Sequence, residues 1–261
     1  MTTWNYYDYQ QWVNDGCEIN DKVTKLDLTN KELINLSNNI NNLINLQILK
    51  CNDNILSELP KTLGNLINLR IFDCSLNQLT ELPETMCNLI NLEKLYCWDN
   101  RLTKLPKTLN NLISLRKLNC SYNKLTKLPK TLGNLINLRK LVCFNNKLTK
   151  LPMSIIKLKH LNFINFDMNV QLPINIQRFF DRINNKININ VHNNTIQESL
   201  LDSINILLSE TTIKDINIIE DNILDNKTKS MVYNYSEDKT IGDILVNFEE
   251  LLVYILDKIE N

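Results

Sequence analysis

LEKLYCWDNRLTKLPKTLNNLIS occupies residues 92–114, and LRKLNCSYNKLTKLPKTLGNLIN occupies residues 115–137. The two stretches agree at most positions, with a constant offset of 23 residues. The same 23-residue unit recurs before and after these two stretches. Five full copies start at Leu46, Leu69, Leu92, Leu115 and Leu138. Their shared pattern is LxxLxCxxNxLxxLPxxLxNLxN. Self-similarity at such a period is typical of a solenoid, in which each unit buries its apolar side chains only against its neighbours.

Each unit predicts one short strand followed by a return segment. The alternation in LxxLxCxx indicates a strand whose inward side chains include Leu95 and Cys97. The LPxxLxNLxN segment then returns along the convex side as a tight helical or extended path, and proline suits its start because it fixes φ. The expected fold is an α/β solenoid with a parallel inner sheet.

An isoleucine column recurs in the return segments. It is expected to pack on the convex face, and the alternative is that it forms a dimer stripe. The column comprises Ile67, Ile90, Ile113 and Ile136.

One asparagine column is predicted to have a structural role. A buried asparagine amide can donate and accept hydrogen bonds at once, so it can satisfy backbone groups of adjacent turns that lack a strand partner. The column comprises Asn54, Asn77, Asn100, Asn123 and Asn146.

The pattern resembles that of the leucine-rich repeat family over about residues 23–195. In its 23-residue length it is similar to the intracellular type found in Ras-associated scaffolds and in uncharacterised giant-virus (mimivirus-like) proteins. The abundance of Asn, Ile and Lys, with no alanine, also fits an AT-rich genome of that kind. The resemblance implies a horseshoe-shaped arc and says little about function.

The ends of the array depart from the repeat, as capping units do. The aromatic-rich stretch Trp4–Val13 predicts a helix that covers the first repeat, and Ile189 lies in a predicted last strand. Thr195–Glu210 and Thr240–Glu260 show helical spacing. We therefore expect an N-terminal helical cap, a repeat array and an acidic helical C-terminal cap or appendage, over residues 1–22, 23–195 and 196–261.

The formal net charge of zero hides a strong asymmetry. Residues 1–195 carry 24 Lys/Arg and 15 Asp/Glu, whereas residues 196–261 carry 5 and 14. Between Lys94 and Lys159 there are 15 cations and one acid, Asp99. Three interpretations of these basic columns remain open: a solvated face of near-copied repeats, a docking surface for an acidic protein (this chain's own tail included), or a surface for nucleic acid or anionic lipid.

Outward-pointing strand residues are the candidate partner-binding site. Tyrosine and tryptophan give large contact areas at low entropic cost, and here they are expected to be exposed beside cations on the concave face. Scattered surface aromatics without a function are the alternative. The candidate residues are Lys94, Tyr96, Trp98, Lys117, Asn119, Tyr122, Lys140, Val142 and Phe144.

The predicted function is a non-enzymatic scaffold that reversibly binds a protein partner, expected to be acidic, on the concave face of the repeats at 92–160. Lys94, Lys117 and Lys140 are expected to steer that partner. The alternative is an electrostatic binder of nucleic acid or anionic membrane through the basic columns, regulated by the acidic tail.

The sequence predicts no catalytic residue, cofactor or metal. The four glycines do not form a phosphate-binding loop. The motifs GxSxG, CxxC and HExxH do not occur, and the two histidines, His160 and His192, are isolated. Five of the seven cysteines form the inward column, where cysteine serves as a small apolar filler. Neighbouring strands lie about 4.8 Å apart, farther than the Cβ separation that most disulfides have.

No membrane span or secretory signal is expected. No apolar run approaches the roughly 18–20 residues that a spanning helix needs. Residues 1–12 lack the basic start and apolar core of a secretory signal. The expected location is therefore intracellular and cytoplasmic, in the host cytoplasm if the chain is viral.

Overall fold

The structure is a computed structural model that describes residues 2–183 and 188–192, which lie in the first of the two units of the chain, Met1–Asn193. In this part of the chain, strands β1 to β9 form one parallel sheet in sequence order. The predicted solenoid with a parallel inner sheet is confirmed. The strands are Thr2–Trp4, Val23–Asp27, Ile48–Lys50, Ile71–Asp73, Lys94–Tyr96, Lys117–Asn119, Lys140–Val142, Phe163–Asp167 and Asn188–His192.

The predicted acidic C-terminal segment, residues 196–261, lies outside the described residues. The division of the chain into an N-terminal cap, an array and this segment therefore stays a prediction.

The core is built from equivalent positions of successive repeats. In the repeat that starts at Leu92, the side chains of Leu95, Cys97, Leu102 and Leu105 are buried as well, and the equivalent positions of the neighbouring repeats are buried too. Each buried leucine contributes roughly 1.5–3 kcal/mol relative to an exposed one. Because these contacts run between repeats, the stack gains its stability from repeat-to-repeat packing.

The return segments contain short 3₁₀ helices, which agrees with the tight path predicted after each proline. Gly64 and Gly133 lie in two of them, where the next turn approaches so closely that an added Cβ would overlap the backbone carbonyl of Thr85 or Ser154. These helices span Ile40–Asn42, Lys61–Asn65, Glu84–Asn88, Leu109–Asn111, Leu132–Asn134 and Met153–Lys157.

The isoleucine column does not pack as expected. Each side chain follows a buried leucine by one residue and points away from the core, with 51–59% of its surface exposed. The prediction of convex-face packing was therefore wrong for Ile67, Ile90, Ile113 and Ile136.

Helix α1, Tyr6–Asn14, closes the first end of the core and confirms the predicted helical cap. Asn5 begins it with a capping box, in which its side chain accepts hydrogen bonds from the helix and Asp8 accepts from the Asn5 N–H. Tyr9 and Trp12 are buried against the first repeat. The strand β1 that precedes the helix was not predicted.

Helix α2, Ile174–Ile183, follows the last full repeat and was not predicted either. Its residues Ile176 and Phe180 are buried, and the Phe180 ring stacks on Phe166 with centroids 6.2 Å apart. Strand β9, at the position of the predicted last strand, pairs with β8. Helix α2 therefore covers apolar side chains at the end of the array.

The asparagine column joins neighbouring repeats. Asn100 Nδ2 donates to the carbonyl oxygen of Cys74 at 3.0 Å, and its Oδ1 accepts from the N–H of Leu79 at 2.9 Å. The same two bonds to the preceding repeat recur at Asn77, Asn123 and Asn146. Backbone groups inside the turns are thereby satisfied without a strand partner.

Candidate functional site: the concave face of the sheet

The strand register arranges the concave face in columns. Lys94, Lys117 and Lys140 pair with one another across β5, β6 and β7, and we call them the strand ladder. Beyond the strand ends, Arg101, Lys124 and Lys147 are at equivalent positions of successive turns and form the turn ladder. Between the two ladders lies a largely apolar surface, the aromatic strip, which comprises Tyr96, Trp98, Tyr122, Val142 and Phe144.

Short polar pairs alternate with bulky pairs across the strip. Ser121 Oγ donates to Asn119 Oδ1 at 2.7 Å, and two repeats earlier the Ser75 hydroxyl donates in the same way to Asp73. The repeats between and after these pairs carry bulky residues at the same two positions: Tyr96 with Trp98, and Val142 with Phe144. Neighbouring strands are about 4.8 Å apart, so a short neighbour on each side gives a bulky side chain its space.

This alternation corrects the expectation of full exposure. Trp98 and Phe144 are only 3% exposed, and Asn119 and Val142 are buried as well. The ring of Tyr122, in the preceding repeat, lies against Phe144, and such a contact between repeats cannot be inferred from a single repeat. The other candidates are accessible to different degrees: Lys94 is exposed, whereas Tyr96, Lys117, Tyr122 and Lys140 are half-buried.

The half-buried residues contact one another across the strands. Lys117 Nζ lies 4.8 Å from the centre of the Tyr96 ring, and Lys140 Nζ lies 4.4 Å from the centre of the Phe163 ring. The rings of Tyr122 and Phe144 meet edge to face with centroids 5.1 Å apart. The structure thus places two of the predicted cations beside aromatic rings on this face.

Two polar atoms of this face are buried without a hydrogen-bond partner in the part of the chain that the structure describes. They are the indole nitrogen of Trp98 and the side-chain oxygen of Asn165. A buried polar group without a partner costs about 1–3 kcal/mol. The concave face therefore has one buried donor, in the strip at Trp98, and one buried acceptor, at Asn165, without a hydrogen-bond partner among the described residues.

The turn ladder is exposed and uncompensated. No Asp or Glu occurs from residue 100 to 166. Arg101, Lys124 and Lys147 are exposed and form no ion pair within the described ranges. A second basic row continues from it, in which Lys104 contacts Glu81 at 3.4 Å. The basic columns therefore form separate rows on two sides of the aromatic strip.

The seven cysteines are unpaired and buried. Burial raises the pKa of the Cys120 thiol to about 12 and that of Cys97 well above its ordinary value. Thiols of this kind are poor nucleophiles and metal ligands at neutral pH. No group of three or more His, Cys, Asp or Glu side chains suited to a metal ion occurs in the described residues.

A polar depression of about 200 Å³ lies to one side of the strand ladder. Here Glu93 lies between Arg70 and Arg116, at 3.3 and 3.6 Å. Ser114 occupies the position at which Asn91 and Asn137 donate to the carbonyl of the preceding turn. Asn91 and Asn137 thus belong to a second asparagine ladder, and the depression lies where this ladder has Ser114 in place of asparagine.

Known proteins are similar to this chain in its repeat. Residues 22–124 match a family model described as "Leucine-rich repeat region". No curated protein matches the sequence. Together with the observed sheet, the match supports a leucine-rich repeat solenoid as the fold of the described residues.

Solved structures share this fold. An internalin from Listeria monocytogenes is 22% identical with a TM-score of 0.55, and the match covers 65% of this chain and 49% of that one. The leucine-rich repeat ectodomain of the Arabidopsis thaliana receptor kinase GASSHO1/SCHENGEN3, solved with CASPARIAN STRIP INTEGRITY FACTOR 2, is 23% identical with a TM-score of 0.54. That match covers 66% of this chain and 24% of the ectodomain chain.

A leucine-rich repeat protein of Leptospira interrogans is 25% identical, with 64% of this chain and 54% of that chain covered and a TM-score of 0.38. The matches thus span from about a quarter to just over half of the lengths of these three proteins.

Among the described residues, no helix is long and apolar enough to span a membrane.

Proposed function

We propose that this chain is a non-enzymatic scaffold that binds an acidic protein partner on the concave face of the repeats at 92–160. The observation that carries the proposal is the aromatic strip between two cationic ladders. Leucine-rich repeat folds generally mediate protein–protein interaction, and one of the similar structures was solved with a partner.

The burial of Trp98 and Phe144 changes how the face works. These two rings form the floor of the strip, and the half-buried rings of Tyr96 and Tyr122 offer contact surface beside them. A partner that covers the strip gains apolar contact from the tyrosines, while Lys94 at its border attracts opposite charge. Affinity is then shared between the strip and the ladders.

We also infer that the chain acts inside a cell, in the cytoplasm, and in the host cytoplasm if it is viral. Unpaired cysteines fit a reducing compartment. The 23-residue repeat and the Asn-, Ile- and Lys-rich composition support the intracellular, giant-virus type of the family.

Capture from lysate of the source cells tests the proposal. The baits are the intact chain and a charge-reversal triple variant of the strand ladder, Lys94→Glu, Lys117→Glu and Lys140→Glu. A control triple of equal net charge changes exposed lysines of the return segments, Lys61→Glu, Lys130→Glu and Lys157→Glu. We expect a partner that the intact and control baits capture and the ladder variant does not. Equal loss from both variants, with release by salt, contradicts the proposal and favours nucleic acid or anionic membrane.

A further inference from the structure

We infer that the partner presents an acidic amphipathic α-helix, which lies along the aromatic strip and places carboxylates against both ladders. The inference rests on the proposed function and names the shape of the partner's binding segment. It follows from the spacing, the width and the charge of the concave face.

The rung spacing favours a helix over an extended strand. Two steps along a ladder, for example from Arg101 to Lys147, cover about 10 Å because parallel strands lie about 4.8 Å apart. Two turns of an α-helix advance about 11 Å. Two same-side steps of an extended strand advance about 13 Å, at roughly 3.3 Å per residue. Carboxylates one helical turn apart therefore lie opposite successive cations of a ladder. Carboxylates on one side of an extended strand are spaced too widely to do so.

The width of the strip matches one helix. From Lys94 to Trp98 an extended chain advances about 13 Å, and the backbone turns at Asp99, whose φ is 50°. A helix with its side chains is about 10–12 Å wide. Its apolar stripe can then cover Tyr96 and Tyr122 while its two flanks reach the strand ladder and the turn ladder.

The charge of the turn ladder requires anions on the far flank as well. Its three cations are exposed, belong to successive turns whose backbones are spaced by about 5 Å, and form no ion pair in the described part of the chain, so they repel one another. The exposed Asp99 is the one acid between the strip and this ladder. A helix with carboxylates on both flanks relieves the repulsion, and one with a single acidic flank leaves it in place.

The test uses two synthetic peptides of identical leucine and glutamate composition and the full-length chain. One peptide places leucine at helical spacing with glutamate on both flanks, and the other alternates leucine and glutamate. Anisotropy measures affinity, and circular dichroism measures helix induced on binding. We expect the helical pattern to bind at least about tenfold more tightly. Equal binding of both peptides, or no binding of the helical one, overturns the inference.

Protein variants locate the helix. We expect the turn-ladder triple Arg101→Glu, Lys124→Glu and Lys147→Glu to weaken binding of the helical peptide by about tenfold or more. The return-segment triple serves again as the control of equal net charge, and an equal loss there overturns the placement. Displacement of the peptide by duplex DNA at equal charge concentration overturns the choice of a protein helix. If the lysate partner still depends on the strand ladder while the helical peptide fails, the proposed function stands and this inference falls.

Discussion

Asn100 Nδ2 donates a hydrogen bond to the carbonyl oxygen of Cys74, 26 positions earlier, at 3.0 Å. The Oδ1 of the same amide accepts from the N–H of Leu79. We expect Asn100→Ala to lower the free energy of unfolding by about 1–3 kcal/mol, because it leaves the buried N–H of Leu79 without a partner, while the Cys74 carbonyl keeps its hydrogen bond from Asn77. Urea denaturation measures this change. The matched substitution of the exposed Asn111 should have little effect, and an equal loss at both positions would contradict the structural role of the column.

Gly133 tests the close approach of successive return segments. An added Cβ would overlap the Ser154 carbonyl, so we expect Gly133→Ala to cost about 1–3 kcal/mol of stability. Alanine at the exposed neighbour Asn134 is the control. Thermal unfolding that leaves Gly133→Ala as stable as the intact chain would show that the turns are farther apart than described.

Asp73 gives the fold a dependence on pH. Burial raises the pKa of its carboxyl above the ordinary 3.8, and the hydrogen bonds from Ser75 oppose this shift without cancelling it. The folded chain therefore holds the proton more tightly than the unfolded chain. As a result, stability falls as the pH rises from about 3.8 through the raised pKa.

Asp73→Asn removes that loss, because Asn119 makes the equivalent hydrogen bonds to Ser121 two repeats later. We expect the variant to be more stable than the intact chain at pH 7 and to lose this advantage near pH 3. Denaturation at a series of pH values is the measurement. An advantage independent of pH would contradict the burial of a charge at Asp73.

Ser114 marks a missing rung in the second asparagine ladder. Asn91 Nδ2 donates to the Ile67 carbonyl at 2.9 Å, and Asn137 Nδ2 donates to that of Ile113 at 2.8 Å. We expect Ser114→Asn to add the equivalent bond to Ile90 and to raise stability by about 0.5–1 kcal/mol. The reverse change, Asn91→Ser, should lower stability by a similar amount. A destabilised Ser114→Asn chain would show that the depression cannot accept the amide.

The architecture was predictable because one strictly periodic signal determines it. A constant offset of 23 residues places strands β2 to β8 in register, so the inward positions of Leu95 and Cys97 in one repeat predict those of the neighbouring repeats. The caps carry no such signal. Strand β1 has three residues and helix α2 follows an irregular repeat, so neither shows enough periods to be recognised.

The exposure of the concave face was predicted less well. Trp98 is buried together with Ser75 and Ser121, which lie 23 residues away on either side in the sequence and have short side chains. A repeat read alone treats all outward positions as equivalent. Short and bulky pairs of side chains alternate with a period of 46 residues, and this alternation is visible in the sequence when residues 23 positions apart are compared by size.

Site-specific photo-crosslinking in lysate of the source cells tests the central claim most directly. A photo-crosslinking amino acid is placed at position 94, on the exposed border of the concave face, and in a matched chain at position 90, an exposed isoleucine outside that face. We predict a covalent adduct with one acidic protein from position 94 and none from position 90. An adduct from position 90 alone, or equal adducts from both positions, would contradict binding on the concave face.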